Sequence, residues 1–195
     1  MMRELLGRAR ATPERLLHPF RRRKVFERLR DRPAPKTVLV VCHGNICRSP
    51  VAGALLARAV APSGIVVRSA GFIGFNRPAP PLAVAAAERH GLELADHRSR
   101  LVTADVARTA DLVVVMEMSQ QRTIIERFGR RSSDVVILGD LDPLPIETRT
   151  IRDPVNDGRE VFDQVYERIA RCVRELVALI TPPCCTRAIR VAEKP

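Results

Sequence analysis

The sequence predicts an α/β fold with three layers, in which helices cover both faces of a four-stranded parallel sheet. Two observations support this class. Short valine-rich runs recur along the chain and are typical of buried strands, and segments with apolar residues at helical spacing lie between them. No internal repeat is visible. Strands that alternate with helices usually form a parallel sheet with flavodoxin-like or Rossmann-like winding.

Each element follows from its local pattern. Strands are expected at residues 37–41, 65–69, 112–116 and 135–138. Helices are expected at residues 50–60, 82–90, 119–129 and 159–180, with a short one near residue 103. Gly91 is expected to close the second helix, and Ser119 to cap the start of a later one. The last helix has an apolar stripe of Phe162, Val165, Ile169, Cys172, Val173, Leu176 and Ile180.

The most informative segment joins the first strand to the first helix. The strand ends at Cys42, and Arg48, Ser49 and Pro50 follow, with the proline at the expected first position of the helix. In a Cys-x5-Arg-Ser loop of this kind, backbone N–H groups can converge on one point, where the helix N-terminus adds positive charge. The segment therefore predicts a cradle for a phosphate group.

The residue types in this loop suit phosphoryl transfer. A helix N-terminus and a nearby arginine favour the reactive thiolate of a cysteine, so Cys42 is the candidate nucleophile. Arg48 offers a bidentate clamp for phosphoryl oxygens, and the Ser49 hydroxyl can stabilise the thiolate. Gly44 permits close approach of the backbone, and Asn45 tolerates a left-handed conformation. The alternative is a loop without catalytic function.

A metal site is the other alternative for the two loop cysteines. Cys42 and Cys47 are separated by four residues, and no second Cys/His pair follows at zinc spacing. We therefore expect no metal and no cofactor. Cys47 is instead a candidate redox partner, because a reversible disulfide with Cys42 would protect the nucleophile from overoxidation. A small buried side chain is the simpler interpretation of Cys47.

The loop resembles that of the low-molecular-weight protein tyrosine phosphatases. The family signature, Val-Cys-x-Gly-Asn-Ile-Cys-Arg-Ser-Pro, is matched throughout, with His43 at the variable position. The resemblance covers about residues 36–181 and is closest to bacterial members associated with exopolysaccharide systems. Further segments that resemble the family are residues 69–71, 97–100, 111–117, 139–143 and 153–154.

The resemblance implies a phosphotyrosine hydrolase that works through a phosphocysteine intermediate. It assigns Cys42, Arg48 and Asp153 as catalytic residues, with Asp153 as the general acid. Asp140 and Asp142 are alternative candidates for the acid, but they rank lower and are expected to order a loop. The phosphate-binding loop would contain His43, Gly44, Asn45, Ile46, Cys47 and Ser49, supported by Ser69 and His97.

Departures from the family pattern affect the expected substrate. Val155 and Asn156 stand where many relatives carry aromatic residues, so an aromatic wall would have to come from Phe72 or Phe75.

Three alternatives to a tyrosine phosphatase remain. Thiol-dependent arsenate reductases share the loop but usually carry Ser and Gln where Ile46 and Pro50 stand. Protein-arginine phosphatases carry Thr in place of Ile46. A phosphate-binding adaptor without turnover is the third alternative.

The positive charge is concentrated at the N-terminal end. The 195 residues carry a net charge of +11, and residues 1–36 hold 12 Lys/Arg against 4 Asp/Glu. We expect a basic extension and linker at 1–36, a phosphatase domain at 37–181 and a tail at 182–195. The extension is expected to be solvated and partly disordered. Alternatively, it could be an interrupted amphipathic helix on an anionic membrane surface, or it could bind a polyanion.

Composition also bounds the location and the partners. No apolar run approaches the ~18 residues of a spanning helix, and no secretory signal accompanies the five cysteines. A cytoplasmic location is therefore expected. The expected partner is a phosphotyrosine protein, such as a bacterial tyrosine kinase, and no specific nucleic acid is expected.

Overall fold

A computed structural model describes residues 13–181. Its centre is a four-stranded sheet in the order β2-β1-β3-β4, and all neighbouring strands are parallel. The strands are β1 (Thr37–Cys42), β2 (Val66–Gly71), β3 (Leu112–Val115) and β4 (Val135–Ile137). The predicted class, a three-layer α/β/α fold with a parallel sheet, is confirmed.

Helices lie on both faces of this sheet. They are α1 (Pro13–Arg30), α2 (Arg48–Val60), α3 (Pro81–Glu88), α4 (Ala104–Thr109), α5 (Met118–Phe128) and α6 (Arg159–Ile180). Alternate residues of β1 point to opposite faces, as the pleat requires. Val38 and Val40 belong to the core shared with α1, α2, α3 and α6, whereas Leu39 and Val41 belong to the core shared with α4 and α5.

The strand register aligns the carboxyl ends of the central strands. Cys42 of β1 pairs with Gly71 of β2, and Val41 pairs with Val115 of β3. Because β1 lies between β2 and β3, the chain leaves it at the point where the strand order reverses. Open α/β sheets bind their ligands at such points. The loop after β1 therefore begins at the natural binding edge.

The predicted boundaries of the strands and long helices hold within two residues, and two of these helices begin earlier than predicted. The last helix has the predicted bounds, and every residue of its predicted stripe is buried. The first helix begins at Arg48, two residues before Pro50. The prediction that Ser119 caps α5 is wrong, because the helix begins at Met118 and Glu117 is its N-cap. Gly91 and Gly129 both adopt the left-handed conformation expected after a helix.

The prediction of a solvated N-terminal extension is wrong for the described residues. α1 packs against the domain and buries His18, Val25 and Leu29. Val25 and Leu29 belong to the main core, and Arg22 pairs with Glu175 of α6 at 2.5 Å. The helix also continues through Pro19. Sequence reading missed this packing because the arginines dominate the composition of a segment that has only two aliphatic core residues.

The predicted C-terminal tail lies outside the described residues, as do its cysteines Cys184 and Cys185. None of the helices between residues 13 and 181 has the length and apolar content that a bilayer-spanning segment needs.

Candidate active site

The loop between β1 and α2 places Cys42 at the carboxyl edge of the sheet. The Cys42 side chain is buried, and the Ser49 hydroxyl lies 3.0 Å from its sulfur, within donating distance. Ser49 can hold this position because it sits in the first turn of α2, just after the loop turns back. A hydroxyl in this position can donate to the sulfur and stabilise negative charge that develops on it.

Asn45 holds the loop together. It adopts a left-handed conformation with φ of 50°, as predicted, and is fully buried. Its side-chain amide donates to Ser49 Oγ at 2.9 Å and to Ser69 Oγ at 3.0 Å. Its side-chain oxygen accepts from the backbone N–H of Arg100 at 2.8 Å. The loop is therefore connected to β2 and to residues 97–100 through one side chain.

His97 braces the same loop from the outside. Its Nε2 lies 2.7 Å from the backbone oxygen of Asn45. Half-burial lowers the pKa of His97 below its ordinary value, and the charges of Arg100 and Arg98 act in the same direction, against the effect of this hydrogen bond. A neutral ring that donates through Nε2 fits these surroundings. Ser69 and His97, the residues predicted to support the loop, both lie within hydrogen-bond distance of Asn45.

Gly71 is required by the close packing of this loop against β2. A Cβ atom at Gly71 would lie 2.7 Å from the backbone nitrogen of Asn45 and 2.8 Å from the oxygen of His43. Such distances are too short for any side chain. The sequence gives no local sign of this constraint, because it arises only when strands β1 and β2 pair.

Arg48 brings the loop and the candidate acid together. Its side chain is almost completely buried, at 2% exposure, although arginine is rarely found inside a protein. One terminal nitrogen donates to the backbone oxygen of Ile151 at 3.0 Å, and the other pairs with the carboxylate of Asp153. Arg48 Nε is buried and has no hydrogen-bond partner among the described residues. Asp153 keeps about a third of its side chain exposed.

Cys47 is held in a different environment from Cys42. Burial raises the pKa of the Cys47 thiol to about 12, and the nearby Asp153 and Cys42 contribute in the same direction. Its backbone oxygen accepts from the hydroxyl of Tyr166 at 3.3 Å. Tyr166 is fully buried, and burial also raises its pKa. This support from α6 was not predicted, although a single tyrosine beside a core stripe could have indicated it.

The segment that leads to Asp153 is fixed by buried ion pairs. Asp140 accepts two hydrogen bonds from Arg149, at 2.9 and 2.5 Å. Asp142 is fully buried and accepts from Arg168 at 2.9 Å and from Arg171 at 2.7 Å. Burial alone would raise the pKa of Asp142, but these partners outweigh it and the pKa lies below its ordinary value. Both carboxylates, for which a loop-ordering role is predicted, therefore join this segment to arginines of the domain.

A second arginine lies at the rim of the loop. The Arg77 side chain passes over Gly74, which has positive φ, and its Nη1 lies 3.6 Å from the position of a Cβ on Gly44. Its charge favours ionisation of the nearby Cys47. His43 is exposed beside it, and its backbone oxygen accepts from the N–H groups of Phe72 and Ile73. The rim therefore presents positive charge to solvent.

The aromatic residues around the site are sparse. Phe72 packs against the core on the α4 and α5 face, whereas Phe75 is 72% exposed. Val155, at a position that many relatives fill with an aromatic residue, is 39% exposed. Within residues 13–181, no three His, Cys, Asp or Glu side chains are grouped so that they could hold a metal ion.

Comparison with known proteins identifies the class of molecule. Residues 37–182 match the family model for low molecular weight phosphotyrosine protein phosphatases. The chain is 37% identical over 139 residues to the probable low molecular weight protein-tyrosine-phosphatase EpsP of Ralstonia nicotianae. This alignment covers 71% of the chain and 91% of the relative. The chain therefore belongs to the low molecular weight protein-tyrosine-phosphatase family, whose members are phosphoric monoester hydrolases.

Solved structures show the same fold with two specificities. The tyrosine phosphatase Wzb of Escherichia coli K30, in complex with sulphate, is 30% identical with a TM-score of 0.66. This match covers 74% of the chain and 97% of Wzb. The YwlE arginine phosphatase of Geobacillus stearothermophilus is 26% identical, also with a TM-score of 0.66. It covers 83% of the chain and 99% of YwlE. The fold alone does not decide between the two substrates.

Proposed function

We propose that this protein hydrolyses phosphotyrosine in proteins through a phosphocysteine intermediate. The observation that carries the proposal is the ion pair between Arg48 and Asp153, which joins the Cys42 loop to the segment of the candidate acid. The Ser49 hydroxyl lies within donating distance of the Cys42 sulfur. Arg48, at the end of the same loop, pairs with Asp153, which lies 105 positions further along the chain. A nucleophile, a phosphate clamp and an acid are what phosphomonoester hydrolysis through a covalent intermediate requires.

In the first step, the Cys42 thiolate attacks phosphorus. A sulfur–phosphorus bond forms and the bond to the tyrosyl oxygen breaks, while the Asp153 carboxyl gives its proton to that oxygen. Arg48 would hold the equatorial phosphoryl oxygens, and its partnerless Nε suits this role. Because the phosphoryl group competes with Asp153 for Arg48, binding of substrate would release the Asp153 carboxylate to carry a proton.

In the second step, water attacks phosphorus and gives its proton to the Asp153 carboxylate. The sulfur–phosphorus bond breaks, inorganic phosphate leaves and Cys42 returns as the thiolate. The Ser49 hydroxyl, 3.0 Å from the sulfur, stabilises the negative charge that develops there. Cys47 would serve as a redox partner that protects Cys42 between cycles.

Ile46 favours tyrosine over arginine as the substrate residue. Arginine phosphatases of this fold resemble the loop with Thr at this position, whereas Ile46 is apolar and buried in the main core. Ile46 and Pro50 likewise differ from the Ser and Gln of the arsenate reductases. A phosphate-binding adaptor is disfavoured because it would need no acid, whereas Asp153 pairs with Arg48 beside the loop.

The natural substrate that we propose is an autophosphorylating tyrosine kinase of an exopolysaccharide system. The similarity to EpsP and Wzb supports this assignment. Tyrosine phosphorylation consumes ATP, so we place the protein in the cytoplasm. The basic N-terminal segment would then meet an anionic partner near the substrate, either a membrane surface or a polyanion.

A comparison of three activities tests the proposal. Purified protein should release phosphate from an aryl phosphate and from a phosphotyrosine peptide, with little release from a phosphoarginine peptide and no arsenate reduction. Faster hydrolysis of phosphoarginine would assign the chain to the arginine branch. Stoichiometric binding of the phosphotyrosine peptide without turnover would show an adaptor.

A further inference from the structure

Helix α1 has an outward face that its packing on the domain does not use. His18, Val25 and Leu29 point inward and are buried. The opposite side of the helix carries Leu16, Leu17, Phe20, Arg23 and Lys24, here called the outer face. Residues that are three, four or seven positions apart lie on the same side of an α-helix. The five residues have this spacing and therefore share one side.

The first half of the outer face is strongly apolar. Leu16 is 62% exposed, Leu17 46% and Phe20 73%. Leu144, which is 53% exposed, lines the same groove as Leu16 and extends this apolar surface onto the domain. Scattered exposed apolar residues are normal, but three within five residues on one helix side form a contiguous patch. Such patches usually mark an interaction site.

The helix also carries an excess of positive charge. Seven of its residues are Arg or Lys, and only two are acidic. Both carboxylates are paired within the helix, Glu14 with Arg21 and Glu27 with Arg23. Lys24 and Arg30 have no carboxylate partner among residues 13–181. Lys24 is exposed one turn from Phe20, next to the apolar patch, whereas Arg30 lies about 15 Å from Phe20 along the helix and over the ring of Phe26.

We propose that the outer face of α1 is a docking surface for an anionic lipid bilayer. A helix that lies in the interfacial plane needs apolar side chains to enter the acyl boundary and cations to meet the headgroups. The outer face supplies both. A soluble polyanion would use the cations and leave the leucines in water. A second copy of the helix would bring two positively charged surfaces together, which electrostatics opposes.

This surface lies outside the region that the family shares. The family match begins at residue 37, whereas α1 ends at residue 30. α1 also begins at the same edge of the sheet as the active site, because His18 bonds to the backbone oxygen of Asp142. Docking through α1 would therefore hold that edge near the bilayer. The inference deepens the part of the proposed function that gives the basic segment an anionic partner, and it does not depend on the chemistry of the active site.

Vesicle binding by the full-length protein tests the proposal. Sedimentation with vesicles of phosphatidylcholine and phosphatidylglycerol should pull the protein down, whereas pure phosphatidylcholine should not. The triple variant Leu16→Gln, Leu17→Gln and Phe20→Gln, which keeps every charge, should weaken binding at least ~tenfold. The pair Lys24→Gln and Arg30→Gln should also weaken it, and high salt should reduce the wild-type affinity.

Control variants lie on helices other than α1. Met118 of α5 is 48% exposed and Leu82 of α3 is 41% exposed, so Met118→Gln with Leu82→Gln removes exposed apolar surface away from the outer face. Arg122→Gln with Arg127→Gln on α5 removes two exposed charges. Both controls should bind vesicles as the wild type does.

A fluorescent reporter locates the contact. The chain contains no tryptophan, so Phe20→Trp creates a single emitter on the outer face. Its emission should shift to shorter wavelength with anionic vesicles and be quenched by brominated acyl chains. The control reporter, Met118→Trp, should do neither.

Three outcomes would overturn the proposal. Full binding by the triple glutamine variant would show that charge alone acts, as for a soluble polyanion. Unchanged emission of the Phe20→Trp variant on bound vesicles would place the contact elsewhere. Self-association of the wild type in the absence of lipid, abolished in the triple variant, would identify a second copy as the occupant.

Discussion

At the scale of single residues, the site depends on side chains whose roles cannot be exchanged for chemically similar ones. Arg48 shows this most directly. It is buried, and its two terminal nitrogens already serve two different acceptors, Ile151 and Asp153. Only a planar guanidinium can present several donors in fixed directions from one buried position, whereas an ammonium is a point charge.

Arg48→Lys should therefore lower kcat/KM for an aryl phosphate by about 10²- to 10³-fold, because the clamp on the phosphoryl oxygens is lost. The measurement is steady-state hydrolysis of para-nitrophenyl phosphate. Circular dichroism serves as the control for folding. A rate within a few fold of wild type would mean that Arg48 has only a structural role, in which it holds the start of α2 to the backbone of Ile151.

Cys42→Ser should abolish turnover and leave binding of inorganic phosphate in the loop intact. The backbone of the loop is fixed by Asn45 and Gly71, and neither contact involves the sulfur. Calorimetry with phosphate and a turnover assay on the same sample give both readings. Substantial hydrolysis by the variant would remove Cys42 as the nucleophile.

Asp153→Asn should slow hydrolysis of poor leaving groups by about 10²- to 10⁴-fold and affect good leaving groups much less. An aryl oxide with a low pKa leaves without a proton, so the acid matters less for it. A series of substituted phenyl phosphates provides the test. Equal losses across the series would show that Asp153 only positions Arg48.

At the scale of elements, the sequence was most informative where local pattern and tertiary structure agree. The stripe of α6 predicted both the bounds of the helix and its buried residues, because one long amphipathic helix must bury that face. The loop from Cys42 to Ser49 could be predicted equally well from local sequence. Its glycine permits close approach of the backbone, its asparagine tolerates a left-handed conformation and its arginine can bind phosphate. Asp153 could be assigned only through family resemblance.

Other features could not be predicted because they arise between elements. Gly71 is needed only because β2 pairs with β1 and meets the loop at Asn45. The bond from Tyr166 to the backbone of Cys47 joins α6 to the loop. Composition predicts a solvated arm for α1, because its two aliphatic core residues, Val25 and Leu29, are outnumbered by arginines. The amino-acid composition of such a helix is dominated by its exposed residues. It therefore gives no sign of a buried side that consists of only a few residues.

The segment of residues 97–100 is an element whose stability should depend on pH. The pKa of His97 is lowered in the folded protein, so the unfolded chain takes up the proton first as pH falls below about 6.5. The free energy of unfolding should therefore decrease as pH falls through that range and on toward the folded-state pKa.

Urea unfolding at about pH 7.5 and about pH 5.5 measures this effect. The wild type should lose more stability between the two conditions than His97→Gln, whose side chain can still donate to the Asn45 oxygen but does not titrate. An identical pH dependence in both proteins would show that protonation of His97 does not limit the stability of the domain.

At the scale of the whole molecule, α1 is bound to the domain through polar partners that lie outside the loop that carries Cys42. Its hydrogen bonds and ion pairs with the rest of the domain reach Val135, Asp142, Glu147 and Glu175, among others. The helix therefore extends the core on the α6 side and braces the start of the segment that leads to Asp153. Stability and catalysis should separate when it is removed.

Deletion of residues 1–33 should lower the free energy of unfolding and leave kcat for a small aryl phosphate nearly unchanged at temperatures where the protein is folded. Burial of Val25 and Leu29 alone is worth about 3–6 kcal/mol, and the deletion also exposes the core residues beneath them. Leu29→Ala, which keeps the helix, should cost about 2–5 kcal/mol and provides the matched comparison.

Urea unfolding and steady-state kinetics on the same preparations distinguish the outcomes. An unchanged unfolding midpoint in the truncated protein would mean that α1 does not pack on the domain in solution. A folded truncated protein with a much lower kcat would instead mean that the bond from His18 to Asp142 positions Asp153. His18→Gln should then reproduce that loss of kcat without the loss of stability, because Val25 and Leu29 would remain buried.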